Sequence, residues 1–148
     1  YCNSNQLTTL DVSKNTALGY LYCYGNQLTT LDVSKNTALD SLDCSGNQLT
    51  TLDVSKNTAL GYLNCNSNQL TTLDVSKNTA LTTLYCGGNT TITMLAVAKT
   101  YKQATVSTNL ASLITNATST SGTLNIYGGD NTTVHEAATA KGWTVNLK

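Results

Sequence analysis

A chain of 148 residues with eight basic and eight acidic side chains, none of them arginine, carries no formal net charge. The lysines are dispersed, which excludes the clustered positive footprint of a nucleic-acid binder and removes any attraction to anionic membranes. No apolar run approaches the roughly 20 residues of a membrane span, so the apolar residues are available for one domain's core.

Along the chain the first signal is periodicity. Cysteine occurs at Cys2, Cys23, Cys44, Cys65 and Cys86 and nowhere else, on a strict 21-residue period. Leu18 to Ala38 is one unit, Leu-x-x-Leu-x-Cys-x-x-Asn-Gln-Leu-Thr-Thr-Leu-Asp-Val-Ser-Lys-Asn-Thr-Ala, and it returns at 39–59 and 60–80. Residues 1–17 are the tail of another copy. A fifth copy begins at Leu81 and degrades after Asn89, where one inserted residue precedes the resumed apolar spacing of Ile92, Leu95 and Val97. The alternation Tyr20, Leu21, Tyr22, Cys23, Tyr24 predicts a strand with Leu21 and Cys23 turned inward. Leu28, Leu31, Val33 and Ala38 complete the apolar set of the unit. Leu31-Asp32-Val33 copies the spacing of the first run, so each coil is expected to hold two extended segments joined by asparagine corners. Stacked coils turn Asn26, Asn47, Asn68 and Asn89 into one line of buried amides able to satisfy corner peptide groups, with Asn15, Asn36, Asn57 and Asn78 as a second line.

Residues 1–98 read as this repeat and 99–148 as a capping region. Leu110, Leu113, Ile114 and Ala117 follow Ser107 and Thr108 at helical spacing. Gly122 to Tyr127 is a strand ending at Gly128-Gly129. A second helix starts with the capping box Thr133-Val-His-Glu136, carries Val134, Ala137 and Ala138, and stops at Gly142. Trp143 to Leu147 is the last strand, so a parallel β-α-β crossover is expected to extend the sheet. The first coil enters at its fifth position, which predicts further sequence upstream. It leaves an N-terminal edge open to edge-to-edge self-association.

These units resemble bacterial leucine-rich repeats of the internalin J type, in which a cysteine ladder replaces one core leucine. The tandem Asn-Gln-Leu-Thr-x-Leu-Asp-Val-Ser-Lys-Asn-Thr-Ala wording is also similar to repeats in surface proteins of Bacteroidetes. The resemblance covers about residues 1–98. It implies a leucine-rich repeat solenoid of α/β class, with a parallel sheet on the concave face and short extended segments on the convex face. It also implies a secreted or surface-anchored adhesin whose ligand sits on the concave sheet.

No constellation of residues points to catalysis, a metal or a cofactor. Five cysteines in a parallel column present each sulfur only to its neighbours, which suits neither tetrahedral zinc nor disulfide geometry, so free thiols are expected. His135 beside Glu136 lacks a nucleophile or a second histidine. The column Asp11, Asp32, Asp53, Asp74 is followed at fixed offset by Lys14, Lys35, Lys56 and Lys77, which reads as mutual charge compensation on a solvated face. Asn89, Asn116 and Asn131 begin glycosylation sequons, a common accident in Asn/Thr-rich sequence.

What varies between the repeats is more informative. Thr-Thr-Leu-Asp-Val-Ser-Lys-Asn-Thr-Ala is identical in four copies, while five positions in or beside the first strand differ. Outward-pointing Tyr1, Tyr20, Tyr22, Tyr24, Tyr62 and Tyr85 are expected to form an open aromatic patch interrupted by Asp40, Asp43, Asn64 and Asn66. This alphabet resembles that of antibody paratopes. The ten residues form the candidate site for a protein or glycan ligand in an extracellular, surface or virion-associated protein. The alternative is a stiff spacer or fibre segment, as in a surface stalk or a phage tail, with no dedicated ligand site.

Overall fold

The computed structural model describes residues 1–98, 114–115, 117, 122–127 and 132–147. Its strands are β1 (Tyr20–Tyr22), β2 (Ser41–Asp43), β3 (Tyr62–Asn64), β4 (Thr72–Asp74), β5 (Thr83–Tyr85), β6 (Met94–Ala98), β7 (Thr123–Tyr127) and β8 (Thr144–Leu147). One helix, α1 (Thr132–Ala140), lies between β7 and β8. The fold is a parallel leucine-rich-repeat solenoid of about five turns.

Two parallel sheets make the walls. The first has the order β1-β2-β3-β5 and the second β4-β6-β7-β8. In the first, Leu21, Leu42, Leu63 and Leu84 are register partners, so the 21-residue period becomes a column of identical side chains. Leu42, Leu63 and Leu84 are fully buried, as are Cys23, Cys44, Cys65 and Cys86 two residues on. Each such leucine contributes roughly 1.5–3 kcal/mol, but only while a coil on each side covers it. The first coil is joined in the same way, because Cys2 N–H and Ser4 N–H donate to the Tyr22 and Tyr24 carbonyls.

Strands of three residues leave most of each coil in turns, where peptide groups need partners away from any ladder. The asparagines supply them. Asn47 Oδ1 accepts from Leu28 N–H in the preceding coil, and its Nδ2 donates to the Cys23 carbonyl of that coil and the Cys44 carbonyl of its own. Asn26, Asn68 and Asn89 repeat the pattern on Leu7, Leu49 and Leu70. At the second corner, Asn36 Nδ2 donates to the Val12 and Asn15 carbonyls, and Asn57 to those of Val33 and Asn36. The buried Oδ1 atoms of Asn36 and Asn57 have no hydrogen bond among the described residues.

One variable position answers to backbone geometry alone. Ser4, Gly25, Gly46, Ser67 and Gly88 occupy the place before the first asparagine corner, and all have left-handed φ between 52° and 72°. Only small residues fit there at low cost. Its variation between glycine and serine is therefore a conformational matter and not part of a recognition alphabet.

Several expectations need correction. The C-terminal strands do not extend the tyrosine-bearing sheet. Leu95 pairs with Leu73, then Leu124 with Leu95 and Val145 with Leu124, so they continue the column begun by the second segment of each coil. The reason is order along the chain: β6 is the second extended segment of the fifth coil, and β7 stacks on it. Ala38, Ala59 and Ala80 are exposed, placed by the paired turns around each second-corner asparagine and not by the core. Helix α1 begins at Thr132, so Thr133 lies inside it and cannot be its cap. Residues 107–113, the expected start of the other helix, lie outside the described residues, as do Gly128 and Gly129; Ile114 and Ala117 are buried.

The stop of α1 is as expected. Gly142 has φ +81°, with Trp143 N–H donating to the Ala138 carbonyl and Gly142 N–H to that of Thr139, the double bond of a Schellman cap. Trp143 is buried, and a Cβ at Gly122 would lie 2.6 Å from its ring, so that glycine is fixed by packing.

Replacing Ser67 by glycine relieves the left-handed strain, partly offset by a more flexible unfolded chain, for a net gain of about 0.5–1 kcal/mol. Urea unfolding should show a higher midpoint at unchanged slope. A lower midpoint would contradict the account of this position.

Candidate recognition site

The outward side chains of β1, β2, β3 and β5, with Tyr1 and the flanking residues, make the candidate surface. Strand alternation delivers them there because Leu21, Leu42, Leu63 and Leu84 face inward between them. The aromatic patch, expected to be interrupted by Asp40, Asp43, Asn64 and Asn66, consists of two tyrosine pairs with a polar step between. Tyr1 stacks on Tyr22, ring centroids 5.0 Å apart and planes 4° from parallel. Tyr62 and Tyr85 meet at 6.0 Å and 60°. Tyr20 is 60% exposed and Tyr24 37%, and neither joins these ring contacts.

Ser41, Asp43 and Asn64 form the step. Ser41 and Asp43 point outward yet are buried, Ser41 between Tyr20 and Tyr62 and Asp43 between Tyr22 and Asn64. Tyr22 Oη lies 3.1 Å from Ser41 Oγ. Asp43 Oδ1 accepts from Ser45 N–H at 3.0 Å and Ser45 O–H at 2.6 Å, and its Oδ2 accepts from Asn64 Nδ2 at 3.0 Å. Asn64 Oδ1 accepts from Asn66 N–H, and Asn66 Oδ1 from Gly87 N–H. Burial first, and then the negative charge of Asp43, raise the Tyr62 hydroxyl above its usual pKa of 10. Asp40 precedes β2, exposed, with its carboxylate beside Gly61. Sequence reasoning missed Ser41 and Ser45. The signal for Ser41 was available, since it occupies the column of Tyr20 and Tyr62.

Other surfaces are less well furnished. Two shallow grooves lie on the second sheet, one lined by Thr51, Asp53, Ser55, Thr72 and Asp74, the other by Thr93, Met94, Gly122, Thr123 and Thr144. The aspartates of the first groove are already engaged. In each coil the Asp Oδ1 accepts from the serine N–H two residues on, at 2.8–2.9 Å for Asp11, Asp32, Asp53 and Asp74. Hydrogen bonds from that serine are the leading cause that lowers Asp11, Asp32 and Asp53 below the ordinary carboxylate pKa. For Asp32 and Asp53 the lysine field comes after them, so turn capping rather than charge compensation explains this column. The sequon asparagine Asn89 is buried, with its Nδ2 committed to two carbonyls, which closes it to modification. Asn116 and Asn131 lie outside the described residues.

The five cysteines are free thiols, four buried and Cys2 half-buried. Burial pushes the Cys23 and Cys65 thiols up to about 12, and those of Cys44 and Cys86 well above 9. They are apolar filling, with Cys44 Sγ–H donating weakly to the Asn64 carbonyl at 3.6 Å.

Leucine columns, asparagine corners and a buried file of thiols on one period define a cysteine-ladder leucine-rich repeat. No protein-family model matches the chain, and no curated protein matches it. Among solved structures it is similar to the functional domain of InlJ from Listeria monocytogenes, which includes a cysteine ladder. The identity is 31%, with a TM-score of 0.60, over 91% of this chain. The likeness is in the repeat architecture and its cysteine ladder, and the chain spans 41% of the length of that InlJ chain.

Because the folded thiol pKa values are raised, their stabilising contribution is complete below pH 9 and is lost as pH rises through about 12. Iodoacetamide at pH 8 should therefore modify Cys2 alone in the native protein and all five cysteines in urea. Rapid native labelling of Cys65 would contradict a sealed ladder.

Proposed function

We propose that this chain is a non-catalytic recognition module of an extracellular or surface bacterial protein, and that it binds a protein or glycan through the tyrosine-bearing sheet. One observation carries the reading. Four copies of the second half-coil are identical, yet the outward positions of the first strand have diverged to Tyr, Ser, Asp, Asn and Thr on the same scaffold. Exposure alone does not explain the difference, because Lys35, Thr37 and Ala38 are just as exposed and have not changed between copies. Resemblance to internalin J repeats supports an adhesive role at a cell surface.

Tyrosine brings a large rigid contact area with a polar tip at low entropic cost. Two tyrosine pairs flanking a fixed set of hydrogen-bonding groups give such a surface both area and orientation. The scaffold beneath is stiff, since each outward side chain stands between buried residues of a stacked column.

Tyr22→Ala removes one ring of the stacked pair and should weaken binding to the natural partner at least tenfold, as truncation at a hot spot costs about 2 kcal/mol or more. Lys35→Ala, in the half-coil that does not vary, should bind as the parent does. Surface plasmon resonance against host-cell extracts, with both variants checked for unchanged melting, makes the comparison. Equal binding by the two variants would mean the sheet is only scaffold, and the spacer reading would replace this one.

A further inference from the structure

The step between the tyrosine pairs holds a carboxylate with no charged hydrogen-bond partner among the described residues. Asp43 is 9% exposed, and its hydrogen bonds among the described residues come from neutral groups alone: Ser45 N–H, Ser45 O–H and Asn64 Nδ2. The chain contains no arginine, and Lys14, Lys35, Lys56 and Lys77 all lie exposed in the other half of the coil. A carboxylate removed from water without a counter-charge is costly, and such groups are ordinarily paired.

The turn does not require the charge. One coil further on, Asn64 occupies the same column and makes the same bond, its Oδ1 accepting from the N–H two residues on. An amide suffices there. What Asp43 adds is a negative charge, held rigidly by three hydrogen bonds and standing in register between Tyr22 of the coil before and Asn64 of the coil after, with Tyr62 diagonally across and within reach of its field. Its Oδ2 accepts a single bond, so acceptor capacity remains on that oxygen. Tyrosine rings beside a carboxylate attract cations through the negative potential of their faces as well as through the carboxylate itself.

We propose that Asp43, with Tyr22 and Tyr62, is a subsite for a cationic side chain, arginine or lysine, presented by a protein partner. The inference rests on the recognition reading above and narrows it. Arginine fits best, because a planar guanidinium can stack on a tyrosine while donating to the free side of Oδ2. Exposed Asp40, just before β2, adds a second acidic group on the approach to the same sheet. An amino sugar shares the ammonium chemistry but lacks the planar donor fork, and it serves as the competing source.

Nuclear magnetic resonance titration of the full chain tests this with four probes: N-acetyl-arginine amide, N-acetyl-lysine amide, the neutral isostere N-acetyl-citrulline amide, and glucosamine. Saturable shifts of the Asn64 side-chain amide and the Ser45 amide are expected with arginine and lysine, at least fivefold weaker with citrulline. Asp43→Asn keeps an acceptor for Ser45 and should melt close to the parent while losing at least fivefold in arginine affinity. Equal affinity for citrulline, undiminished arginine binding by D43N, or no shift with any probe would overturn the proposal. Shifts with glucosamine alone would overturn the protein side chain in favour of a sugar. None of these outcomes touches the recognition reading, which stands or falls on the Tyr22→Ala comparison.

Discussion

Everything in the repeat region depends on a buried amide at the first corner of each coil. Strands of three residues cannot satisfy the peptide groups of a 21-residue turn of solenoid, and apolar side chains at every corner would leave a cysteine carbonyl and a leucine N–H of each coil unpaired in the interior. Asparagine answers this by engaging both coils at once: its oxygen takes the leucine N–H of one coil, and its nitrogen reaches the cysteine carbonyls of both. Each corner therefore joins neighbours while it closes its own turn. Leucine and thiol columns then gain their burial free energy without further polar cost.

The two halves of a coil stand in different relations to that constraint. In the second half, an aspartate caps the serine turn, an asparagine ties consecutive coils, and two successive turns return the chain to the next leucine. Most of its polar residues have a structural task, and four identical copies are the result. In the first half, inward leucine and cysteine are fixed while the position between them accepts tyrosine, aspartate or asparagine on one backbone. Chemical variety on this solenoid is accordingly confined to one sheet. The tyrosine pairs and the polar step around Asp43 are built there.

Much of this was legible from residue order. A one-dimensional stack converts period directly into contact, so the cysteine, leucine and asparagine columns could be written down before any coordinates. The candidate tyrosines also lie on the face that alternation assigns them. What failed depended on heights and neighbours that a period does not encode. Ser41 and Asp43 point outward yet are buried, flanked in register by Tyr20 and Tyr62 and by Tyr22 and Asn64. The serine partner of each repeat aspartate was overlooked because a lysine at fixed offset offered a more obvious one. The sheet joined by the C-terminal strands turned on which of two columns the inserted residue before Ile92 would feed, and only the stacked geometry decides that.

The corner asparagine is open to direct measurement. Asn68→Ala strands the buried Leu49 N–H and takes one of two asparagine donors from each of the Cys44 and Cys65 carbonyls, which keep those of Asn47 and Asn89. Leaving the N–H unpaired costs about 1–3 kcal/mol and the two weakened carbonyls add to it, so equilibrium urea unfolding should show a loss of about 2 kcal/mol or more. Gln69→Ala, at an exposed neighbour, should lose less than about 0.5 kcal/mol. If the two substitutions destabilise the protein equally, the coils are held by apolar stacking alone and the amide corner is not what the solenoid depends on.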